Sequence, residues 1–324
     1  MRAATNPQVV CEVPELARVA GVEECTAVIK GVRCRYLRAG SGPALLLVHG
    51  FMAYSFSWRF VIRGLARHFS VYAVDLPGCG FSERSDPLPA TLASDAEYLL
   101  NLMDHLGIER FDVLGTSRGG GLAIALTGLA AERGARHRIR RLVLSAPINP
   151  WSRLWLLRIR FLRTPAGRIY VVHLAKRLQF ILDSVFRGLY ADPKSIPPDS
   201  LAGYNAGFGP AGSYEHVWKM LRSWMTDLKG IASLVPTIES VPALLLWGAC
   251  DSAVDPASAE ELHQRWKNSA VLMMDGVGHM PYEEVPQEFN RIVLDFLLRE
   301  TPATALQIEG PVAMAQAAAE NGRA

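Results

Sequence analysis

Residues 113–121 have the sequence VLGTSRGGG, in which a serine lies between a short apolar segment and a run of glycines. The residues from Arg110 predict a strand, and the small residues of 119–129 predict a helix. A chain that reverses from strand to helix strains the turn residue, and glycines two positions away leave room for that approach. Ser117 is therefore predicted to be an exposed nucleophile. Backbone N–H groups at the start of the helix favour an oxyanion beside it.

Strand and helix patterns alternate on both sides of this segment. This alternation predicts an α/β fold with a doubly wound, mostly parallel sheet. Helical periodicity occurs over 58–68, 91–106, 256–266 and 283–298. The predicted strands cover 25–29, 32–37, 44–48, 70–75, 110–114, 140–145, 242–248 and 271–274.

The alternation of strand and helix patterns stops between the sixth and seventh predicted strands, where the sequence is rich in Trp, Arg, Leu and Phe. We interpret this region as a helical insertion over the sheet. A chain of 324 residues that is 50% hydrophobic is long enough for one α/β domain and such an insertion. The predicted division is an N-terminal segment (1–24), a first core part (25–149), the insertion (150–235), a second core part (236–300) and a loosely ordered tail (301–324).

Composition narrows the function classes. The formal net charge is +3, and no long basic run indicates nucleic-acid binding. Five scattered cysteines predict neither a disulfide framework nor a metal site, and reduced thiols suit the cytoplasm. The N-terminus lacks the pattern of a cleaved signal, and no apolar run approaches the ~20 residues that span a bilayer. We therefore predict a cytoplasmic protein, with its oligomeric state left open.

A serine needs a base to accept its proton, and that base is most often a histidine held by a carboxylate. Asp251 and His279 follow the last two predicted strands, at the sheet edge where Ser117 is expected. We predict these three residues to form a catalytic triad. Asp255 competes with Asp251, but it lies where an N-cap is expected, and Asp275 fits a turn residue better.

The predicted oxyanion hole needs two backbone N–H groups. One is expected from Arg118, directly after the nucleophile, and the other from Phe51 in the loop after the third strand. His49, two residues earlier, is interpreted as a residue that organises this loop rather than as a base.

Five motifs follow one another along the chain: HGF (49–51), DLPGCGFS (75–82), GTSRG (115–119), WGACD (247–251) and GHMPYEEVPQEF (278–289). Together and in this order they resemble the α/β-hydrolase family, in the branch with a helical cap after the sixth core strand. The resemblance covers residues 25–300 and implies a nucleophile at Ser117, a base at His279 and an orienting acid at Asp251. It also implies oxyanion donors at Phe51 and Arg118.

Within that family, similar dehalogenases and epoxide hydrolases have an aspartate at the turn, so Ser117 disfavours both activities. Serine there is typical of esterases, lipases, thioesterases and C–C bond hydrolases. We predict hydrolysis of a carboxylic ester with a moderately apolar acyl chain, through an acyl-Ser117 intermediate and without metal or organic cofactor. The alternatives are C–C hydrolysis of a ring-cleavage product, and a non-catalytic receptor or accessory protein.

The insertion begins with WSRLWLLRIRFLR (151–163), which has helical periodicity. One interpretation is that its apolar face covers an acyl pocket while its basic flank contacts a membrane; the other is that the apolar face packs on the core and the arginines are solvated. Arg158 projects into the predicted apolar face, where it meets either a substrate anion or a core acid. We take Trp155 and Arg158 as candidate substrate-binding residues. The predicted flank is Arg153, Arg160 and Arg163; the opposite face is Trp151, Leu154, Trp155, Phe161 and Leu162.

Overall fold

A computed structural model describes residue 14 and residues 18–84, 89–174, 177 and 179–299. The predicted tail and most of the predicted N-terminal segment lie outside the described residues. One eight-stranded sheet organises this part of the chain, in the order β1-β2-β4-β3-β5-β6-β7-β8. The strands are β1 Glu23–Ile29, β2 Val32–Ala39, β3 Ala44–Val48, β4 Ser70–Val74, β5 Phe111–Thr116, β6 Ile139–Ser145, β7 Ala243–Gly248 and β8 Ser269–Met274.

The sheet is mostly parallel. β2 pairs antiparallel with both β1 and β4, and every other pairing is parallel. The doubly wound α/β fold predicted from the alternating pattern is thus confirmed. Parallel strands end at one common edge, so the loops after β3, β5, β7 and β8 lie together at the carboxyl edge of the sheet.

Helices cover both faces of the sheet. They are α1 Ile62–Leu65, α2 Leu92–His105, α3 Arg118–Glu132, α4 Leu156–Leu162, α5 Pro165–Ile169, α6 Gln179–Arg187, α7 Ser200–Ala206, α8 Ser213–Ile238, α9 Ala257–His263, α10 Pro281–Glu284 and α11 Pro286–Leu298. Short 3₁₀ segments and a π-helical turn, Tyr170–Leu174, connect some of them. No helix in the described ranges is both long and apolar enough to cross a membrane.

β3 shows how its apolar run fits between these layers. Leu46 and Val48 belong to one buried cluster, whereas Leu45 and Leu47 belong to a second cluster. Side chains alternate between the faces of a strand, so both faces of β3 are covered. A strand covered on both faces has a continuous apolar sequence instead of an alternating one.

The region between β6 and β7 is helical, from α4 to α8, and we call it the cap. Its longest helix, α8, packs closely on α3. A methyl group on Gly121 would lie 3.0 Å from the side chain of Ile231, and one on Gly128 would meet Leu234. The missing side chains on α3 thus let α8 lie directly against the helix that follows Ser117.

Two predicted helices are shorter than the periodicity indicated. The segment 58–68 contains only the end of a 3₁₀ helix, Ser55–Trp58, and the single turn of α1. The predicted helix in 151–163 begins only at Leu156, because Trp155 has a left-handed backbone (φ 64°). A non-glycine residue with positive φ interrupts a right-handed helix. The helical positions predicted for residues 151–155 are therefore incorrect, whereas helical spacing applies from Leu156 onward.

Candidate active site

Ser117 forms the turn between β5 and α3. Its backbone is strained, with φ 53° and ψ −120°, a region that non-glycine residues seldom adopt. A methyl group on Gly115 would overlap the carbonyl oxygen of Gly119, and one on Gly119 would overlap that of Val48. Only glycine fits at both positions. The turn therefore holds the serine hydroxyl away from the sheet at the beginning of α3.

Asp251 and His279 form a buried hydrogen-bonded pair on the loops after β7 and β8. His279 Nδ1 and Asp251 Oδ2 are 2.8 Å apart, and both residues are buried. The other carboxylate oxygen, Oδ1, accepts N–H groups from Ala253 and Val254 at 2.7 and 3.0 Å. The carboxylate is thus fixed by backbone donors, and with Nδ1–H donating to it the ring leaves Nε2 for a proton-transfer partner.

Ser117 and His279 lie on loops at the same carboxyl edge of the sheet. Within the described residues, no hydrogen bond joins the serine hydroxyl to the histidine ring. Catalytic hydrogen bonds are often long or poorly aligned before substrate binds, so this geometry is compatible with a triad. The competing acids have other positions: Asp255 Oδ1 accepts the N–H of Ala257 at the start of α9, and Asp275 is exposed in a turn.

The loop after β3 passes close to Ser117. A methyl group on Gly50 would be 3.2 Å from the Ser117 Cβ, so the next residue, Phe51, lies near Ser117. His49 organises this loop: its Nδ1 is 2.9 Å from Gly50 O, and its Nε2 is 3.1 Å from the Leu76 nitrogen. Burial lowers the His49 pKa to about 4. The ring is therefore neutral near pH 7, with Nδ1–H donating and Nε2 accepting.

The other predicted oxyanion donor, Arg118, begins α3. Its guanidinium is buried and donates to Asp95 Oδ2 at 2.9 Å and to Ala90 O at 3.1 Å. Burial raises the pKa of Asp95, while Arg118 acts in the opposite direction. The Arg118 side chain thus anchors the start of α3 to the start of α2, and the role of its backbone N–H as an oxyanion donor stays a prediction.

The cap contacts the surroundings of both predicted oxyanion residues. Trp224 of α8 packs edge-on against Phe51, with ring centroids 5.2 Å apart. Asp227, one turn later, accepts the Leu92 N–H at 3.1 Å. Helix α8 therefore covers the loop after β3 and is tied to the start of α2.

The loop that carries His279 is also bonded to the cap. The backbone N–H of His279 donates to Leu189 O at 2.7 Å. The Glu284 carboxylate accepts N–H groups from Ala191 and Gly278 at 2.9 and 3.0 Å. The position of the predicted base thus depends directly on the segment that follows α6.

A buried carboxylate, Glu283, extends this connection and was missed by the sequence analysis. Arg59 donates to its two oxygens at 2.6 and 2.7 Å. Tyr190 donates to Oε2 at 2.6 Å, and Tyr204 donates to Oε1. We call these four side chains the Glu283 cluster. Its only sequence signal is an acid four residues after His279, because the partners lie 79 to 224 positions away.

The two candidate substrate residues of the cap differ in position: Trp155 contacts the loop that carries Asp251, and Arg158 lies on the exposed side of the cap. Trp155 donates its indole N–H to Ser252 O at 2.9 Å, next to Asp251. Arg158 is exposed, with its guanidinium 4.5 Å from the centre of the Trp155 ring. Arg158 does not enter a buried apolar face, because both Arg158 and its neighbour Phe161 are exposed to solvent. Its role toward a substrate anion stays a prediction.

Potential metal ligands do not gather near these residues. Among the residues that the structure describes, no group of three or more His, Cys, Asp or Glu side chains could hold a metal ion.

Comparisons with known sequences and known structures point to the same protein family. The profile of the alpha/beta hydrolase fold matches residues 43–286. The uncharacterized protein Rv2715 of Mycobacterium tuberculosis is 26% identical over 299 residues, which span 85% of this chain and 81% of that protein. Haloalkane dehalogenase 2 of the same organism is 27% identical over 272 residues, or 81% of this chain and 91% of that enzyme.

A solved epoxide hydrolase, CorEH, has the same fold. It is 23% identical, with a TM-score of 0.74, and the alignment covers 86% of this chain and 100% of that structure. The matched profile runs from the residue before β3 to the first residue of α11, and it includes the loops that carry Ser117, Asp251 and His279. The chain is a member of the α/β-hydrolase family.

Proposed function

We propose that this protein is a serine hydrolase that cleaves a carboxylic ester with a moderately apolar acyl chain. The observation that carries the proposal is the nature of the turn residue. A serine hydroxyl, not a carboxylate, occupies the strained position before α3, and a histidine–aspartate pair lies on the neighbouring loops. A hydroxyl needs such a base, whereas a carboxylate is already ionised at neutral pH.

The geometry supports a two-step acyl transfer. His279 Nε2 accepts the Ser117 proton as the hydroxyl oxygen attacks the ester carbonyl, and Asp251 stabilises the imidazolium through Nδ1–H. The backbone N–H groups of Phe51 and Arg118 stabilise the tetrahedral oxyanion. Collapse breaks the ester C–O bond, and the alcohol leaves with the proton from His279. Water then attacks the acyl-serine with His279 as base, which releases the acid and restores Ser117.

The reactions named for two similar proteins fit this site less well. Opening an epoxide or displacing a halide requires a nucleophile that attacks a saturated carbon and whose ester intermediate water can then hydrolyse. Ser117 would form an ether in such a step, which the same machinery does not hydrolyse. The serine therefore favours acyl chemistry over the dehalogenase or epoxide hydrolase reaction.

The first experiment measures hydrolysis of p-nitrophenyl esters from acetate to palmitate. We expect turnover to peak at one intermediate chain length, and Ser117→Ala to lower kcat by a factor on the order of 10⁴ to 10⁶. The matched control is Ser233→Ala on exposed α8 surface, which should leave kcat unchanged. Equal turnover by Ser117→Ala would exclude Ser117 as the nucleophile.

A fluorophosphonate probe separates the remaining alternatives. Labelling of Ser117 without turnover of any ester would favour C–C bond hydrolysis, and activity on a vinylogous diketo acid would then test that reaction. Absence of labelling in the folded protein would favour the non-catalytic receptor or accessory role.

A further inference from the structure

Helix α4 exposes apolar side chains on the side that faces away from the protein. Successive residues of a helix are separated by about 100°, so Leu157 and Phe161 lie side by side and Ile159 lies nearly opposite. Ile159 is buried, with 7% exposure, whereas Leu157 is 79% and Phe161 55% exposed. Helix α4 thus buries Ile159 on its inner side. On its outer side it carries a second apolar strip, Leu157 and Phe161, which is exposed to solvent.

Arginines border this strip on both sides. By the same angular spacing, Arg158 lies on one side of the strip and Arg160 on the other, with Arg163 beyond Arg160. All three side chains are exposed. We call Leu157, Phe161 and these three arginines the α4 surface.

The α4 surface belongs to a wider apolar and basic region. Seven of the ten large hydrophobic side chains that are exposed in the described part of the chain lie between residues 154 and 185, including Ile169 and Phe180. Residues 150–190 contain eight lysine or arginine residues and a single acid, Asp183. The rest of the chain contains 26 lysine or arginine residues and 30 acids. The positive charge of the protein is therefore concentrated where its apolar groups are most exposed.

We propose that the α4 surface docks the protein on an anionic lipid bilayer. Large apolar side chains flanked by arginines are the pattern of a helix that lies in the interface, with the apolar strip at the boundary between headgroups and acyl chains. The arginine stems extend along apolar surroundings while their guanidinium groups contact lipid phosphates. Docking requires no membrane-spanning helix and does not depend on the reaction proposed for Ser117.

The charge also argues against a second copy as the occupant. A twofold dimer formed through this surface would bring the arginines of both copies into one interface. Like charges brought together at an interface are unfavourable, whereas anionic headgroups neutralise them.

The test is vesicle flotation of the full chain at low ionic strength. We expect binding to phosphatidylcholine vesicles that contain one-third phosphatidylglycerol, and at least tenfold weaker binding to phosphatidylcholine alone. Leu157→Ser/Phe161→Ser should weaken binding to the anionic vesicles at least tenfold. Arg160→Gln/Arg163→Gln should remove most of the preference for anionic lipid, since each surface arginine contributes about fivefold.

Two controls make the result specific. Val28→Ser changes an apolar residue on β1 that is 60% exposed, within the range of Leu157 and Phe161, and Arg67→Gln changes an exposed arginine outside the cap. Both variants should bind as the unmodified chain does. No binding to anionic vesicles, or equal loss in the controls and the α4 variants, would overturn the proposal. A dimer that Leu157→Ser/Phe161→Ser dissociates, with no vesicle binding, would also overturn it and assign the surface to a second copy.

Discussion

The turn at Ser117 depends on two glycines, Gly115 and Gly119, at which a side chain would overlap backbone atoms. We expect Gly119→Ala to lower the free energy of unfolding by about 2 kcal/mol or more, because its methyl group would overlap the Val48 and His49 carbonyl oxygens. Esterase activity should fall further than stability, since the turn can relieve the overlap only by moving Ser117. Urea denaturation and p-nitrophenyl ester assays measure the two effects.

Gly230 provides the matched control. It lies in α8, and a methyl group there would meet no atom within 4 Å. Gly230→Ala should therefore leave activity unchanged and raise stability by up to about 1 kcal/mol through helix propensity. An equal loss of stability in both variants would show that the overlap at Gly119 is not the cause.

Two buried histidines make stability depend on pH. Burial lowers the pKa of His49 to about 4 and that of His216 to about 3, from an ordinary value of 6.5. As the pH falls from 6.5 to 4, the unfolded chain binds protons at these positions that the folded chain does not. Stability that is present above pH 6.5 is therefore lost on acidification, by up to roughly 3 kcal/mol per histidine.

Substitution tests this assignment. His216→Gln should make the decline in unfolding free energy between pH 6.5 and 4 distinctly shallower, as measured by urea titrations at several pH values. His68→Gln, at an exposed position, should leave the decline unchanged. If the unfolding free energy declined equally with pH in the unmodified chain and in both variants, the acid sensitivity would come from groups other than His216.

At the scale of elements, the Glu283 cluster joins the histidine loop to the cap and to the segment before α1. Glu283→Gln should lower the free energy of unfolding by about 3 kcal/mol or more, because the largely buried Arg59 guanidinium loses its fully buried countercharge. It should also lower kcat for ester hydrolysis, since α10 positions His279. Chemical denaturation and steady-state kinetics test both effects.

An exposed ion pair supplies the comparison. Glu261 and Arg265 interact on the surface of α9 and the turn after it, with both side chains about half exposed. Glu261→Gln should change stability by less than about 0.5 kcal/mol and leave kcat unaltered. A similar small effect for Glu283→Gln would mean that the cluster does not hold the loop.

The elements differ in how well the sequence predicts them. The buried strands were predicted closely, because a short and wholly apolar run such as ALLLV at 44–48 is typical of a strand covered on both faces. The start of α4 is not predicted, because hydrophobic periodicity does not indicate that the backbone of Trp155 is left-handed. The roles of Ser117, Asp251 and His279 stay predictions, although their positions at one sheet edge follow from the strand order. The Glu283 cluster could not be predicted, because its contacts depend on how the cap is folded back onto the core.

For the molecule as a whole, cap and core share their hydrophobic interior. Buried residues of α8, including Met220 and Leu228, belong to the same apolar cluster as Leu46 of β3 and Leu122 of α3. We expect a single cooperative unfolding transition, with equal calorimetric and van't Hoff enthalpies and coincident near- and far-ultraviolet circular dichroism. An earlier transition in the near-ultraviolet signal alone would show that the cap unfolds separately.

The hydrogen bond from the His279 backbone to Leu189 O has a practical consequence for altering substrate range. The cap is a natural target for exchange with a related enzyme, because its helix α8 packs against Phe51 in the loop beside Ser117. Here an exchange that removes residues 189–191 also removes the Leu189 carbonyl that holds His279 and the Ala191 N–H that holds Glu284. If His279 is the base, as we propose, such a chimaera should lose turnover on every substrate. Libraries that keep this segment and vary α8 around Trp224 should change selectivity while leaving the position of His279 unaltered.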